Sequence, residues 1–152
     1  MGNKLLIRTA AAIGLSIAMI GGFATAASAV TCSGAGCDRK DPYDTGCGAS
    51  RVVSGTKTST KGTFRLYYST TCKTNWIEVA NYAGGSTATD GKLYLTAWDR
   101  ARNVYAYFPT SPTPGRHYGN MVYSPQDSCG IGYAFYGPDA RTPDIRIASS
   151  GC

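Results

Sequence analysis

The six cysteines of this chain decide more about its fold than any other residues do. An even number of cysteines in a short exported chain predicts a disulfide framework, whereas the same residues in a cytosolic protein would suggest a metal or catalytic site. We therefore predict three disulfides that hold a small domain together. The cysteines concerned are Cys32, Cys37, Cys47, Cys72, Cys129 and Cys152.

The prediction of export rests on the N-terminus. Two basic residues precede an apolar run at residues 10–22, and Ala27-Ser28-Ala29 has the small side chains of a signal cleavage site. The run is shorter than the roughly 20 residues that span a bilayer, so we expect no transmembrane anchor. We predict a secretory signal peptide at residues 1–29 and a single disulfide-rich β domain at residues 30–152, secreted as a monomer.

The rest of the chain has the pattern of an all-β protein. Short runs rich in Val, Ile, Tyr, Phe and Thr alternate with Gly, Pro, Asp and Asn, which favours a small antiparallel sandwich or barrel. Three prolines and Gly115 interrupt the segment between Phe108 and Tyr118, which is predicted to be a long loop. The predicted strands are residues 51–55, 63–69, 76–82, 92–98, 104–108, 121–123, 131–136 and 145–148.

One predicted hairpin has two chemically different faces. If residues 99–102 form its loop, Leu93 lies opposite Phe108, and alternate residues make one aliphatic and one aromatic face. The aromatic face is either a platform on which sugar rings or a partner's side chains stack, or half of a sandwich core. The core interpretation is favoured because small β domains fill their interior with such residues. The aromatic face carries Tyr94, Trp98, Tyr105 and Tyr107.

A second predicted hairpin suggests how the cysteines pair. If strands 51–55 and 63–69 turn near Thr58 and Ser59, Cys47 and Cys72 face each other at the open end. The predicted pairing is then Cys32–Cys37, Cys47–Cys72 and Cys129–Cys152, one of 15 that six cysteines allow.

The segment from Cys32 to Cys47 also raises the question of a metal site. Zinc sites use short paired spacings such as C-x2-C, and the gaps here are longer. Asp38, Asp41 and Asp44 recur at every third residue, whereas a calcium-binding EF-hand loop needs every second. We therefore predict no metal and no other cofactor.

Several short stretches resemble a known family. CSGAGC at residues 32–37, KDP at 40–42, TGC at 45–47, LYYSTTC at 66–72 and TNW at 74–76 resemble the YjfA-like secreted domain of unknown function found in Gram-positive bacteria. MVYSP at 121–125, leading to Cys129, is similar to the C-terminal part of that domain. Tyr67 and Thr70 depart from its pattern, in which Arg and Pro are usual. The resemblance implies an extracellular ligand-sensing module and implies no catalytic residues.

Candidate catalytic residues are few. The chain has one histidine, His117, one glutamate, Glu78, and no G-x-S-x-G motif for a serine nucleophile. A small hydrolase using Glu78, His117 and an aspartate such as Asp99 is the least favoured function, and Glu78 is expected to pair with a basic neighbour instead. No phosphate-binding glycine loop is present, so we predict no nucleotide partner.

Positive charge is concentrated in the first predicted hairpin, where five basic residues occur without an acidic one. Such a patch attracts anionic polymers, although lysines on an edge hairpin also serve simply to block aggregation. We predict a non-catalytic module that binds cell-envelope glycans or another anionic polymer. The alternative is an inhibitor of extracellular proteins that presents residues 109–119. The basic residues are Arg51, Lys57, Lys61, Arg65 and Lys73.

Overall fold

The computed structural model describes residues 29–125, 128–139 and 141–152, so nearly all of the predicted signal peptide lies outside the described residues. Within these described residues, nine strands follow two short 3-10 helices, Gly34–Cys37 and Cys47–Ser50. In chain order the strands are β1 (Arg51–Ser59), β2 (Gly62–Ser69), β3 (Thr74–Tyr82), β4 (Leu93–Asp99), β5 (Val104–Thr110), β6 (Gly115–Tyr118), β7 (Val122–Tyr123), β8 (Gly130–Phe135) and β9 (Ile145–Ala148).

These strands form two antiparallel sheets. The first sheet has the order β1-β2-β3-β6, with β7 also paired to β3, and the second has the order β5-β4-β8-β9. The predicted sandwich is confirmed, and the described strands do not close into a barrel. Across the part of the chain that is described, no helix has the length and apolar character needed to span a membrane.

The core lies between the two sheets. Alternate residues of β4, such as Leu93 and Leu95, pack against Leu66 and Ile77 of the first sheet. A Cβ atom added to Gly132 would lie 3.1 Å from both Ile77 Cβ and Leu66 Cδ1, so glycine lets the sheets approach closely there. Aliphatic side chains fill most of the interior together with Phe64 and Tyr82, and the aromatic residues of β4 point outward.

The prediction that the whole segment between Phe108 and Tyr118 forms a loop is wrong. Strand β5 continues through Pro109 to Thr110, and β6 pairs with β3, with Tyr118 opposite Glu78. Pro109 is tolerated because β5 is an edge strand, where the missing N–H removes no hydrogen bond to a second neighbour. The stretch proposed as a protruding inhibitory element is thus largely built into the sheets.

Both predicted hairpin turns are displaced. Asp99 pairs with Val104, so the loop comprises residues 100–103, and Leu93 lies opposite Thr110 instead of Phe108. Asp99 Oδ1 accepts the backbone N–H of Arg102 at 2.8 Å, which ends the strand one residue later than predicted. The register moves by two residues, so the aliphatic and aromatic faces keep their membership.

In the first hairpin Ser59 pairs with Gly62, which places the turn at Thr60 and Lys61 instead of at Thr58 and Ser59. Gly62 has a φ of 137°, a conformation that favours glycine. The strands are therefore longer than predicted.

The predicted disulfide pairing is confirmed. Cys32–Cys37, Cys47–Cys72 and Cys129–Cys152 have Cα separations of 5.2, 5.6 and 4.4 Å. The second of these bonds ties the segment before β1 to the turn after β2. The third attaches the C-terminus to the residue that precedes β8.

Candidate functional site

The outer face of the first sheet is covered by the N-terminal segment, residues 32–50. Trp76 is fully buried there, stacked on Tyr67 with ring centroids 5.7 Å apart, and Tyr43 meets it edge-on at 6.1 Å. The same cluster includes Met121, Tyr118 and four cysteines. Three of these cysteines belong to the N-terminal segment, and the fourth, Cys72, is the disulfide partner of Cys47. This sheet consequently presents no bare aromatic face to solvent at that position.

Glu78 fastens this cover to the sheet. The hydroxyl of Tyr43 donates to Glu78 Oε2 at 2.5 Å, and Arg116 on β6 donates to both carboxylate oxygens at 2.8 and 2.9 Å. The expected pairing of Glu78 with a basic neighbour is confirmed. One carboxylate therefore joins β3, β6 and the N-terminal segment.

The contacts within this cluster shift the pKa values of Glu78 and Tyr43. Burial alone would raise the pKa of Glu78, but the hydrogen bonds from Arg116 and Tyr43 outweigh it and lower that pKa below its usual 4.5. Burial and the neighbouring Glu78 carboxylate raise the pKa of Tyr43 to about 12. At neutral pH, Glu78 is therefore ionised and Tyr43 is protonated. These are the states in which the Tyr43 hydroxyl donates a hydrogen bond to the Glu78 carboxylate, so the two residues stabilise the structure.

The three residues considered for hydrolysis have separate partners. His117 Nε2 lies 2.7 Å from the carbonyl oxygen of Thr113. Asp99, at the end of β4 in the other sheet, accepts the hydroxyl of Ser124 at 2.7 Å. Glu78 is engaged with Arg116 and Tyr43, so none of these contacts joins the three residues into one site.

Acid is expected to remove the contribution of Glu78 to stability. Because the pKa of Glu78 is lower in the folded than in the unfolded protein, its contribution is complete above about pH 4.5 and is lost as the pH falls through the folded pKa. In urea unfolding from about pH 6 to about pH 3, the free energy should fall less steeply in Glu78→Gln than in the native protein. Equal slopes in the two proteins would contradict this assignment.

The outer face of the second sheet is open, and the prediction that its aromatic residues form core is wrong. Tyr105 and Tyr107 are 44% and 59% exposed, and Tyr94 and Trp98 are partly exposed. The opposite, aliphatic face of β4 and β5 fills the space against the first sheet. In a two-layer sandwich the remaining face meets solvent unless another segment covers it, and no described segment covers this one.

The aromatic side chains surround a smaller residue, Thr96. On β4 its same-face neighbours are Tyr94 and Trp98, and across the sheet it pairs with Tyr107 on β5 and Tyr133 on β8. Because Thr96 is much smaller than the rings around it, the face has a depression there. This aromatic groove has a volume of about 350 Å³ and is lined by Tyr94, Thr96, Tyr105, Tyr107, Tyr133, Phe135, Arg141 and Pro143.

Stacking holds the rings in place. The Tyr94 and Tyr107 centroids are 4.9 Å apart with planes at 24°, and those of Trp98 and Tyr105 are 5.3 Å apart with planes at 6°. Tyr133 adds a further stacked contact to Trp98 at 6.3 Å. The rings support one another, so the groove is formed before any ligand binds.

Polar groups lie at the margin and beneath the rings. The Tyr94 hydroxyl donates to Asp90, and this hydrogen bond raises the pKa of Tyr94 and lowers that of Asp90. Thr96 Oγ1 and Trp98 Nε1 are buried and have no hydrogen-bond partner among the described residues. A buried polar atom without a partner costs about 1–3 kcal/mol, so each of the two calls for an explanation.

Sequence reasoning missed half of the groove. Tyr133 and Phe135 alternate along a predicted strand, which indicates that they share a face. Nothing in their spacing indicates that this strand pairs with β4, thirty-odd positions earlier in the chain. Arg141 and Pro143 come from the connection between β8 and β9 and carry no pattern at all.

None of the five basic residues of the first hairpin lines this groove. Arg51 donates to the carbonyl oxygen of Gly48 at 3.0 Å, and its guanidinium lies over the rings of Tyr43 and Tyr67. Lys61 Nζ donates to Gly84 O at 2.8 Å.

The other three basic residues of the first hairpin lie on different parts of it. Arg65 projects from the outer face opposite Glu78, Lys57 pairs with Phe64 and so belongs to the other face, and Lys73 lies in the turn before β3. The hairpin therefore does not gather the five charges on one face of the sheet. Binding of an anionic polymer by these residues stays a prediction.

Four sulfur atoms meet beneath the N-terminal segment. Those of Cys32, Cys37, Cys47 and Cys72 all lie within 4.8 Å of one another, which is close enough for metal ligands. Here they belong to two disulfides, and a disulfide sulfur is not the thiolate that zinc binds.

Comparison with known families gives one match. Residues 35–130 match the model of a family described as a protein of unknown function, DUF2690, over more than half of the chain. The chain belongs to the DUF2690 family. No curated protein and no solved structure matches it. In this DUF2690 protein the matched region contains β1 to β7, whereas Tyr133, Phe135 and Arg141 of the groove follow it.

Proposed function

We propose that this DUF2690 protein is a secreted, non-catalytic module that binds cell-envelope glycans in the aromatic groove. The observation that carries the proposal is the solvent-exposed face of the second sheet, in contrast to the covered face of the first. Soluble domains rarely leave a cluster of large aromatic side chains exposed unless it binds something. The three disulfides and the resemblance to YjfA-like secreted domains support an extracellular setting in Gram-positive bacteria.

The shape and chemistry of the groove favour a sugar ring. Its volume of about 350 Å³ lies at the small end of the range for small-molecule sites. Aromatic faces pack against the apolar C–H groups of a sugar, while hydroxyl and carboxylate groups such as those of Tyr94 and Asp90 bind sugar hydroxyls. A ligand hydroxyl that reached Thr96 Oγ1 would also satisfy a polar atom that is unpartnered among the described residues.

A nucleic acid is the less favoured occupant. Single-stranded nucleic acids bind where separate aromatic rings accept successive bases within a positively charged channel. Here the rings already stack on one another in pairs, which leaves no slot between Trp98 and Tyr105.

The proposal predicts the effect of replacing Tyr107, the most exposed aromatic residue of the groove. Purified protein should sediment with isolated cell walls, and Tyr107→Ala should bind on the order of fivefold to tenfold more weakly because one stacking surface is lost. Stacking is not screened by salt, so binding through the groove should persist at high ionic strength, whereas binding through the basic hairpin should not.

The matched control is Val53→Ala, which removes a side chain of similar exposure, 53%, from the other sheet. This variant should bind cell walls as the native protein does. Failure of the native protein to bind any wall glycan would refute the proposal, as would tighter binding to oligothymidylate than to wall oligosaccharides.

A further inference from the structure

We infer that the aromatic groove selects a sugar ring that carries an oxyanion, a carboxylate or a phosphate ester, and that Arg141 and Arg146 bind this group. The inference rests on the proposed glycan-binding function and adds the charge of the ligand and the residues that recognise it.

Both arginines belong to the β8–β9 side of the groove. Arg141 lines the groove itself, beside Pro143. Arg146 lies directly opposite Tyr133 in the β8–β9 pair, so the two side chains project from the same outer face. Both arginines are exposed. A ligand resting on Tyr133 would therefore have guanidinium groups beside it.

In the described part of the chain, neither guanidinium group forms an ion pair with a carboxylate. The ion pairs there are Arg102–Asp38 and Arg116–Glu78. The acidic residues nearest in sequence have other partners. Asp139 Oδ1 accepts the backbone N–H of Arg141 at 2.8 Å. Asp144 Oδ2 accepts the backbone N–H groups of Tyr136 and Gly137 at 2.7 and 2.8 Å.

The β4–β5 side of the groove offers different polar groups. The Tyr94 hydroxyl donates to the Asp90 carboxylate there, and the ring of Tyr107 stacks on Tyr94. Besides that hydrogen bond, Lys92 lies close enough to Asp90 to lower the pKa of its carboxyl group, so the Asp90 charge is engaged on this side. The groups left to bind an anionic substituent of a ligand in the groove are the guanidinium groups of Arg141 and Arg146.

The chemistry of arginine explains why an oxyanion is selected. The planar guanidinium donates two parallel N–H bonds to a carboxylate or a phosphate, and it stays charged at every physiological pH. A carboxylate would come from a uronic acid or a sugar carboxyl ether, and a phosphate from a sugar phosphodiester. The shared feature is a ring that stacks on Tyr107 or Tyr133 with an oxyanion beside it.

The test compares three soluble ligands by calorimetric titration: a galacturonate trisaccharide, its methyl ester and a monophosphorylated galactose trisaccharide. The native protein should bind at least one of the anionic ligands on the order of tenfold more tightly than the ester. The anionic ligand that binds more tightly identifies the source of the oxyanion. Arg146→Gln should weaken binding of the anionic ligand severalfold and so reduce this preference, with Arg141 accounting for the part that remains.

Arg100→Gln is the matched control, because Arg100 is also exposed but lies in the β4–β5 loop and does not line the groove. It should keep the preference, and an equal loss in Arg100→Gln would overturn the inference in favour of net charge. Equal affinity of the native protein for the acid, the ester and the phosphate would overturn the inference and leave glycan binding intact. Absence of binding to all three, together with no binding to cell walls, would overturn both.

Discussion

Replacing Trp76 with alanine is expected to lower the free energy of unfolding by about 3–5 kcal/mol. Trp76 is fully buried between the first sheet and the N-terminal segment, where it contacts Tyr67 and Tyr43. Its loss leaves a cavity and also removes the surface on which that segment packs. Urea unfolding of the two proteins under oxidising conditions measures the difference.

The matched control is the chain's other tryptophan. Trp98 is partly exposed beside the aromatic groove, where it stacks on the lining residues Tyr105 and Tyr133. Trp98→Ala should therefore cost only about 1–2 kcal/mol and should instead weaken glycan binding by releasing those two rings. The two variants separate stability from function. A loss of stability in Trp98→Ala as large as that in Trp76→Ala would contradict the assignment of the groove to the surface.

Removing the Cys47–Cys72 bond by a double alanine substitution is expected to cost about 3–4 kcal/mol from loop entropy alone. The bond joins residues 25 apart and lies in the same buried cluster as Trp76, so lost packing adds to the entropic cost. Chemical denaturation of the purified variant, with the other two bonds kept oxidised, measures the effect.

The Cys129–Cys152 bond provides the comparison, because it joins residues 23 apart and so closes a loop of nearly the same length. Cys152 is exposed, whereas Cys47 is fully buried and Cys72 is 3% exposed. The chain-entropy model predicts similar losses for the two double variants, and burial predicts a larger loss for Cys47 and Cys72. A smaller loss in the Cys47 and Cys72 variant would show that the N-terminal segment contributes little to stability.

The positions of most strands followed from local chemistry. Alternating side chains and the turn residues between them depend on neighbours within a few positions, and the strand at residues 145–148 has the predicted bounds. The turns were displaced by one or two residues because Asp99 and Gly62 set them through a side-chain hydrogen bond and a backbone conformation. Strand β6 was missed because its pairing with β3 joins residues almost forty positions apart.

The cysteine pairing was also predictable, since each bond joins residues that are near in sequence or that meet at the open end of a hairpin. The groove was not. It combines Tyr107 with Tyr133 and Arg141, and those residues meet only because β8 pairs with β4. Periodicity shows that residues of one strand share a face, but not which strand lies next to it.

The sequence by itself determined that this is a disulfide-bonded β sandwich with aromatic side chains on particular faces, because spacing along the chain sets disulfide reach and strand alternation. Both sheets carry aromatic outer faces, with Trp76 on one and Trp98 on the other. Only the tertiary structure decided that the N-terminal segment covers Trp76, through Tyr43 and Glu78, while the face around Trp98 meets solvent. That outcome depends on contacts between residues distant in sequence, which alternation within a strand does not encode.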